Sequence, residues 1–265
     1  MGIKVYLNSI SLVAPGLYGW KQSLSVLSGK APYIKTELPK LVPAILPANE
    51  RRRTTPVIKL ALHAAEVCIG ENLELAQEYA TVFASSDGDL GIMDKICRAL
   101  NMPEHPVSPT NFHNSVHNAP AGYWAIAGKA QYSSNSLSGA DETFAVGMIE
   151  AATYAAIENK KVLFVSYDYP APASIDSVRH FDSPFAVAMC LSAEKQNNSL
   201  AELEIEMAQS NEYSLCDSAE LEQLRLDNPA ARSLPLLQML AKNQTGSVII
   251  PHLQSTCLSI SINVG

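Results

Sequence analysis

The stretch 107–152, VSPTNFHNSVHNAPAGYWAIAGKAQYSSNSLSGADETFAVGMIEAA, decides how the fold is read. Residues 132–137 are a thin strand candidate, poor in large apolar side chains. Ser138, Gly139, Ala140 and Asp141 read as a turn, and residues 142–158 as the strongest helix of the chain. Phe144, Ala145, Met148, Ile149, Ala152, Ala155 and Ala156 recur at helical spacing and give that helix a broad buried stripe. Ser138-x-x-Asp141 fits a capping-box pattern, and an acid at a helix start is stabilised by the helix dipole, so Asp141 is expected to cap. Upstream, residues 111–127 read as helical, with Pro120 breaking or restarting the helix.

Outward from this segment, strands alternate with helices. Residues 4–10 read as a first strand, followed by a proline-rich loop. Thr54-Thr55-Pro56 opens a helix with a threonine cap and a proline in the first turn. Residues 81–84 form a short strand that ends in Ser85-Ser86-Asp87-Gly88, a turn signal, before a helix over 90–100. Residues 161–167, 185–191 and 203–207 are further strands, with 194–199 read as a hairpin loop. Helices near 218–226 and 234–241 and strands at 247–250 and 258–262 complete the chain. The alternation predicts an α/β domain with a largely parallel, buried central sheet. No internal repeat, low-complexity segment or domain boundary is evident, so residues 1–265 are read as a single domain.

Composition narrows the function. An apolar content of 47% and a charged content of 17% suit a chain that buries a sizeable core. The net charge of −7 argues against a nucleic-acid or anionic-membrane partner. Arg51-Arg52-Arg53 is read as a solvated loop before a helix. Five scattered cysteines without CxxC spacing suggest neither a disulfide framework nor a zinc site and fit a reducing cytoplasm. No apolar run approaches the roughly 20 residues that span a bilayer. His113 and His117, four apart, could share a helix face, but HNSVH lacks the carboxylate of HExxH, so interface or capping roles are favoured over metal binding. Asp87-Gly88-Asp89 reads as a turn rather than a cation loop, and no GxGxxG or Walker pattern is present, so no metal or cofactor is expected. Trp20 and Trp124 read as packing aromatics.

Five pieces carry a family resemblance. RRRTTPVIKLALHAAEVC (51–68), TVFASSDGDL (81–90), VSPTNFHNSVHNAPAGYWAI (107–126), KVLFVSYDYP (161–170) and SPFAVAMCLSA (183–193) occur in the order and spacing of a β-ketoacyl synthase. With the 132–152 segment, the pattern spans about residues 4–193. It looks nearest to the small ketosynthase-like proteins called chain-length factors, as in aryl polyene or type II polyketide systems. The resemblance implies a thiolase-like fold of the N-terminal-half type.

In an active member, a cysteine at the helix N-terminus holds the acyl chain, two histidines assist decarboxylation, and backbone N–H groups hold the oxyanion. That cysteine would fall within Ser138, Gly139, Ala140 and Asp141, and none of the four can carry a thioester. An acyl group on Asp141 would be a reactive anhydride. Ser136 and Ser138 lack a GxSxG elbow and an assignable base. The HGTGT and GHxxxAxG patterns of the second catalytic half do not follow residue 193.

The implied role is therefore a non-catalytic subunit, with no catalytic residue of its own, paired with an active β-ketoacyl synthase in a pseudo-twofold heterodimer. An acyl carrier protein would be bound mainly by that partner. Phe112, His113, Val116 and Ala119 are expected to shape the partner's acyl tunnel, and strand 132–137, a poor free edge, to be covered across the twofold. Two alternatives stay open: a stand-alone serine- or cysteine-dependent acyltransferase or thioesterase, and a homodimeric acyl-binding scaffold.

Overall fold

Alternating apolar strands force the chain into one twisted sheet with helices on both faces. The computed structural model describes residues 2–210, 212–253 and 256–265. Its elements are β1 (Ile3–Ala14), β2 (Leu17–Tyr18), α1 (Trp20–Leu27), α2 (Ala48–Arg53), α3 (Pro56–Ile69), β3 (Tyr79–Ala84), α4 (Leu90–Leu100), α5 (Pro109–Asn114) and α6 (Ala119–Gly128). There follow β4 (Ser134–Leu137), α7 (Thr143–Glu158), β5 (Lys161–Asp168), β6 (Phe185–Ser192), β7 (Ala201–Ala208), α8 (Ala219–Asp227), α9 (Leu234–Ala241), β8 (Gly246–Pro251) and β9 (Cys257–Asn263).

The strand order is β4-β3-β5-β6-β1-β7-β9-β8, with β2 folded back on β1. β4, β3 and β5 pair in parallel; β6 is antiparallel to both β5 and β1, so β1 runs the same way as the first three. The central strands thus share one direction apart from β6. Beyond β1 the pairing is antiparallel throughout. The hairpin expected at 194–199 is not one. β6 and β7 lie on opposite sides of β1, and the connection crosses it at the register shift between Leu7 and Ser9, held by Leu200 N donating to the Leu7 carbonyl at 2.7 Å and Ser199 Oγ to Asn8 Oδ1 at 2.7 Å. Both edges of β1 bind a strand, which a short polar loop does not reveal in sequence.

Every residue of β5 after Lys161 is buried, as a central strand covered on both faces requires. Leu163, Val165 and Tyr167 pack in the layer of α3 and α6; Val162 and Phe164 pack in the layer of α7, α9 and the inner face of β7–β9. Gly147 sets the height of α7. A Cβ there would sit 2.6 Å from Phe164 Cε2 and 2.8 Å from Ala84 Cβ, so the helix rests almost backbone-to-sheet on β3 and β5. That contact fixes where α7 begins.

Local expectations are met in part. Thr55 caps α3 by accepting from Ile58 N at 3.2 Å, Ser218 caps α8 at 3.3 Å, and Trp124 is fully buried. Pro120 restarts a helix, with the break at 115–118. Arg51, Arg52 and Arg53 are not in a loop: they close the short helix α2, whose C-terminal end favours cations. His113 and His117 do not share a helix, because α5 ends at Asn114.

Candidate functional site

β4 delivers the chain to α7 through Ser138, Gly139 and a single 3₁₀ turn, Ala140–Glu142. Ala140 has φ +52, in the left-handed region where a side chain costs roughly 1–2 kcal/mol. Lys129 and Asn159 share that conformation, but as helix C-caps, where it is ordinary. Ala140 instead enters a helix from a strand, the geometry of a nucleophile elbow, and its side chain is exposed. The position at the bend is occupied by a methyl group.

The turn is held by bonds that the sequence reading did not anticipate. Gly139 N donates to Thr143 Oγ1 at 2.9 Å, and Thr143 Oγ1 donates to the Ala140 carbonyl at 2.6 Å. Ser138 Oγ donates to the Ser86 carbonyl at 2.7 Å. The expected capping box does not form. α7 has no side-chain cap, and Asp141 turns outward to accept from Arg179 Nη1 at 2.6 Å. A guanidinium offers a carboxylate a stronger, charge-assisted bond than a backbone N–H does. Ser136 Oγ is buried without a partner, and among the described residues neither it nor Ser138 is hydrogen-bonded to a histidine.

Arg179 also donates through Nε to Asp87 Oδ2 at 2.6 Å and lies over the Phe181 ring at 4.6 Å. The loop 169–184 is thereby pinned across the elbow. Next to it, His180 bonds within the same loop to Asp176 at 2.8 Å and Asp182 at 2.9 Å, and Asp182 N donates to Asp227 Oδ2 at 2.8 Å. These two carboxylates hold the imidazole above its ordinary pKa. His180, Asp182 and Asp227 bring ligand atoms within 4.8 Å of one another, but both ring nitrogens of His180 are engaged by carboxylates.

Behind the elbow, Asp168 ends β5 almost fully buried, at 1% exposure. Its Oδ1 accepts from Ser86 Oγ at 2.7 Å, Ser86 N at 2.8 Å and Ser85 Oγ at 3.1 Å. Burial outweighs these bonds and pushes the carboxyl up to about 7. Neither Asp168 nor Arg179 was singled out from sequence. Arg179 sits in an aperiodic loop, and its partners lie 92 and 38 residues away.

The four residues expected to shape a partner lie together beside this site. Phe112, His113, Val116 and Ala119 line an open groove of about 810 Å³ between α5, α6 and the segment before α2. Phe112 is 68% exposed and Val116 51%, Ala119 is buried, and His113 stands edge-on to Tyr123 at 5.9 Å. α6, APAGYWAIAG, carries no charge on any side; Trp124 is buried, whereas Ile126 is 82% exposed. A helix apolar all round belongs in an interior. A second groove of about 460 Å³ continues past Gly122 and Ala125 to Ser134 and Asn135 on β4, the sheet's edge.

A model of the β-ketoacyl synthase N-terminal domain matches residues 26–251, most of the chain. The chain belongs to this family. Among solved structures, the family member resembles a chain of the ketosynthase (ApeO)–chain length factor (ApeC) complex of Xenorhabdus doucetiae. Identity is 25%, TM-score 0.74, with 97% of this chain and 99% of that one covered. It is also similar to the ishigamide ketosynthase/chain length factor (12% identity, TM-score 0.76, 98% and 99% covered). A third is a type II polyketide acyl-carrier protein in complex with its ketosynthase (AntDE:AntF), at 13% identity, TM-score 0.77 and full coverage of both chains. The last two show the thiolase-like fold alone. No curated protein matches.

Proposed function

We propose that this protein is a non-catalytic, chain-length-factor-like subunit that works as a single domain and pairs with an active β-ketoacyl synthase. The observation that carries the reading is Ala140: an exposed, left-handed residue at the strand-to-helix bend, with no thiol, hydroxyl or base in its place. On this reading the turn offers the strand-to-helix bend at which a nucleophile would stand and lacks the reacting atom. The apolar groove of Phe112, Val116 and Ile126 and the free edge β4 supply the pairing surface. There the subunit closes one end of the partner's acyl tunnel and limits product length, while an acyl carrier protein docks mainly on the partner. The similar Xenorhabdus structure is of a ketosynthase in complex with its chain length factor, which supports a reading in which one chain pairs with another.

The test has two arms. Purified alone, the chain incubated with labelled malonyl- and acyl-thioesters is expected to take no stable label at residues 138–141. Covalent labelling abolished by one serine or cysteine substitution would establish a stand-alone acyl-transfer enzyme instead. Co-expressed with an active β-ketoacyl synthase, it is expected to give a mixed dimer by native mass determination. An unaltered homodimer would favour the acyl-binding scaffold, because the same apolar face also fits a second copy.

A further inference from the structure

The pairing reading leaves unused the carboxylate buried behind the elbow. Asp168 Oδ1 gathers three donors from two consecutive residues, Ser85 and Ser86. The carbonyls of the same two residues face elsewhere. That of Ser85 meets His117 Nε2 at 2.9 Å, and that of Ser86 meets Ser138 Oγ at 2.7 Å. His117 belongs to the α5–α6 junction and borders the second groove; Ser138 belongs to the elbow. One two-residue turn is therefore the common anchor of both, and Asp168 is what holds that turn.

The charge on Asp168 is poorly supported. Its Oδ2 is buried with no partner, as are the hydroxyls of Tyr167 and Ser166 on the same strand. From the β3–α4 turn, Asp87 repels it, and Asp89, which caps α4, acts with it on the Tyr167 phenol. The cation of the 169–184 loop, Arg179, is engaged by Asp87 and Asp141. From the turn before α9, Arg232 feels Asp141 and Glu142. His117 points its nitrogen at a carbonyl rather than at the carboxylate. The three donors favour the anion, and a charged acceptor binds them more strongly than a neutral one. The two protonation states therefore grip the Ser85–Ser86 turn differently.

We propose that Asp168 is a proton-operated brace that moves the elbow and the α5–α6 junction as one unit, the ionised form holding the Ser85–Ser86 turn tight and the protonated form loosening it. A proton taken up in the interior is thereby felt on the apolar face. The brace is a property of the isolated chain, so its test is independent of any partner.

Amide resonances are followed by two-dimensional NMR between pH 5.5 and 8.5. The N–H groups of Ser86, Gly139 and Ala119 are expected to titrate with one shared midpoint. Asp168→Asn, which keeps an acceptor oxygen but cannot ionise, is expected to lose that shared transition. His117→Gln is expected to retain it at Ser86 and Gly139, which separates it from titration of the histidine itself. Ser86→Ala removes a donor to the anion and is expected to move the midpoint upward, a readout that holds even where Asp168→Asn does not fold. Separate midpoints at the three amides, a transition that survives in Asp168→Asn, or a midpoint unmoved in Ser86→Ala would overturn the brace.

Discussion

Replacing Ile126 by lysine separates a docking face from a core. Ile126 is 82% exposed on a helix whose other face buries Trp124 completely. Burying a whole isoleucine side chain contributes about 1.5–3 kcal/mol, so about 2 kcal/mol is still available to whatever covers this face. Losing that much weakens a complex about 30-fold, and a lysine charge facing an apolar partner adds to the loss. The isolated chain should be indifferent. The substitution is in the last turn of α6, where a cation is favoured by the helix dipole, and an exposed change there shifts stability by no more than about 0.5 kcal/mol. The assay is sedimentation of the chain with a co-expressed β-ketoacyl synthase, beside urea denaturation of the chain alone. The expected result is a raised Kd with an unmoved denaturation midpoint. An unchanged Kd, or a midpoint that falls, would refute the reasoning.

Three further outcomes follow from particular contacts. Trp124→Ala removes a fully buried indole and should cost about 3–5 kcal/mol, read as a fall in the urea midpoint at constant slope. Thr143→Val removes the acceptor of the Gly139 N–H and should cost about 1–3 kcal/mol in thermal denaturation. Asp168 makes stability depend on pH with a definite sign. Between its ordinary value of 3.8 and about 7 the folded chain holds a proton that the unfolded chain has released, so this group's contribution falls as pH rises through that window and is flat above it. Asp168→Asn should remove that slope, measured as the difference in unfolding free energy between variant and wild type at pH 5 and pH 8.

The elements were legible because their signals are local. The stripe of α7, the Thr55-Pro56 opening of α3 and the Pro120 restart are each read within one or two turns of chain. The thinness of β4 was a real property of an edge strand. What escaped was set by partners far away in sequence. Asp141 carries every local mark of a cap, yet Arg179, 38 residues on, takes it outward. The 193–200 connection has the composition of a hairpin loop, yet β1 already fills the place between β6 and β7. The bend itself was hidden for another reason: left-handed turns are recognised by glycine, and here the glycine is Gly139 while the left-handed residue is its neighbour, Ala140.

Two features of this chain run against its own stability. A non-glycine residue is kept left-handed at Ala140, though glycine would adopt that conformation without the side-chain clash. Ile126 and Phe112 stand in solvent on the α5–α6 face, where polar residues would cost the isolated fold nothing. Neither is a packing necessity, because Trp124 and Gly147 already anchor α6 and α7 from their inner sides. Both are connected to the single Ser85–Ser86 turn, one through Ser138 and the other through His117. Local rules broken at two linked places, in a chain otherwise consistent from propensity to packing, are what a site leaves behind. A bend without a nucleophile, linked through one turn to an uncovered apolar face, is the combination that the proposed pairing with an active β-ketoacyl synthase accounts for.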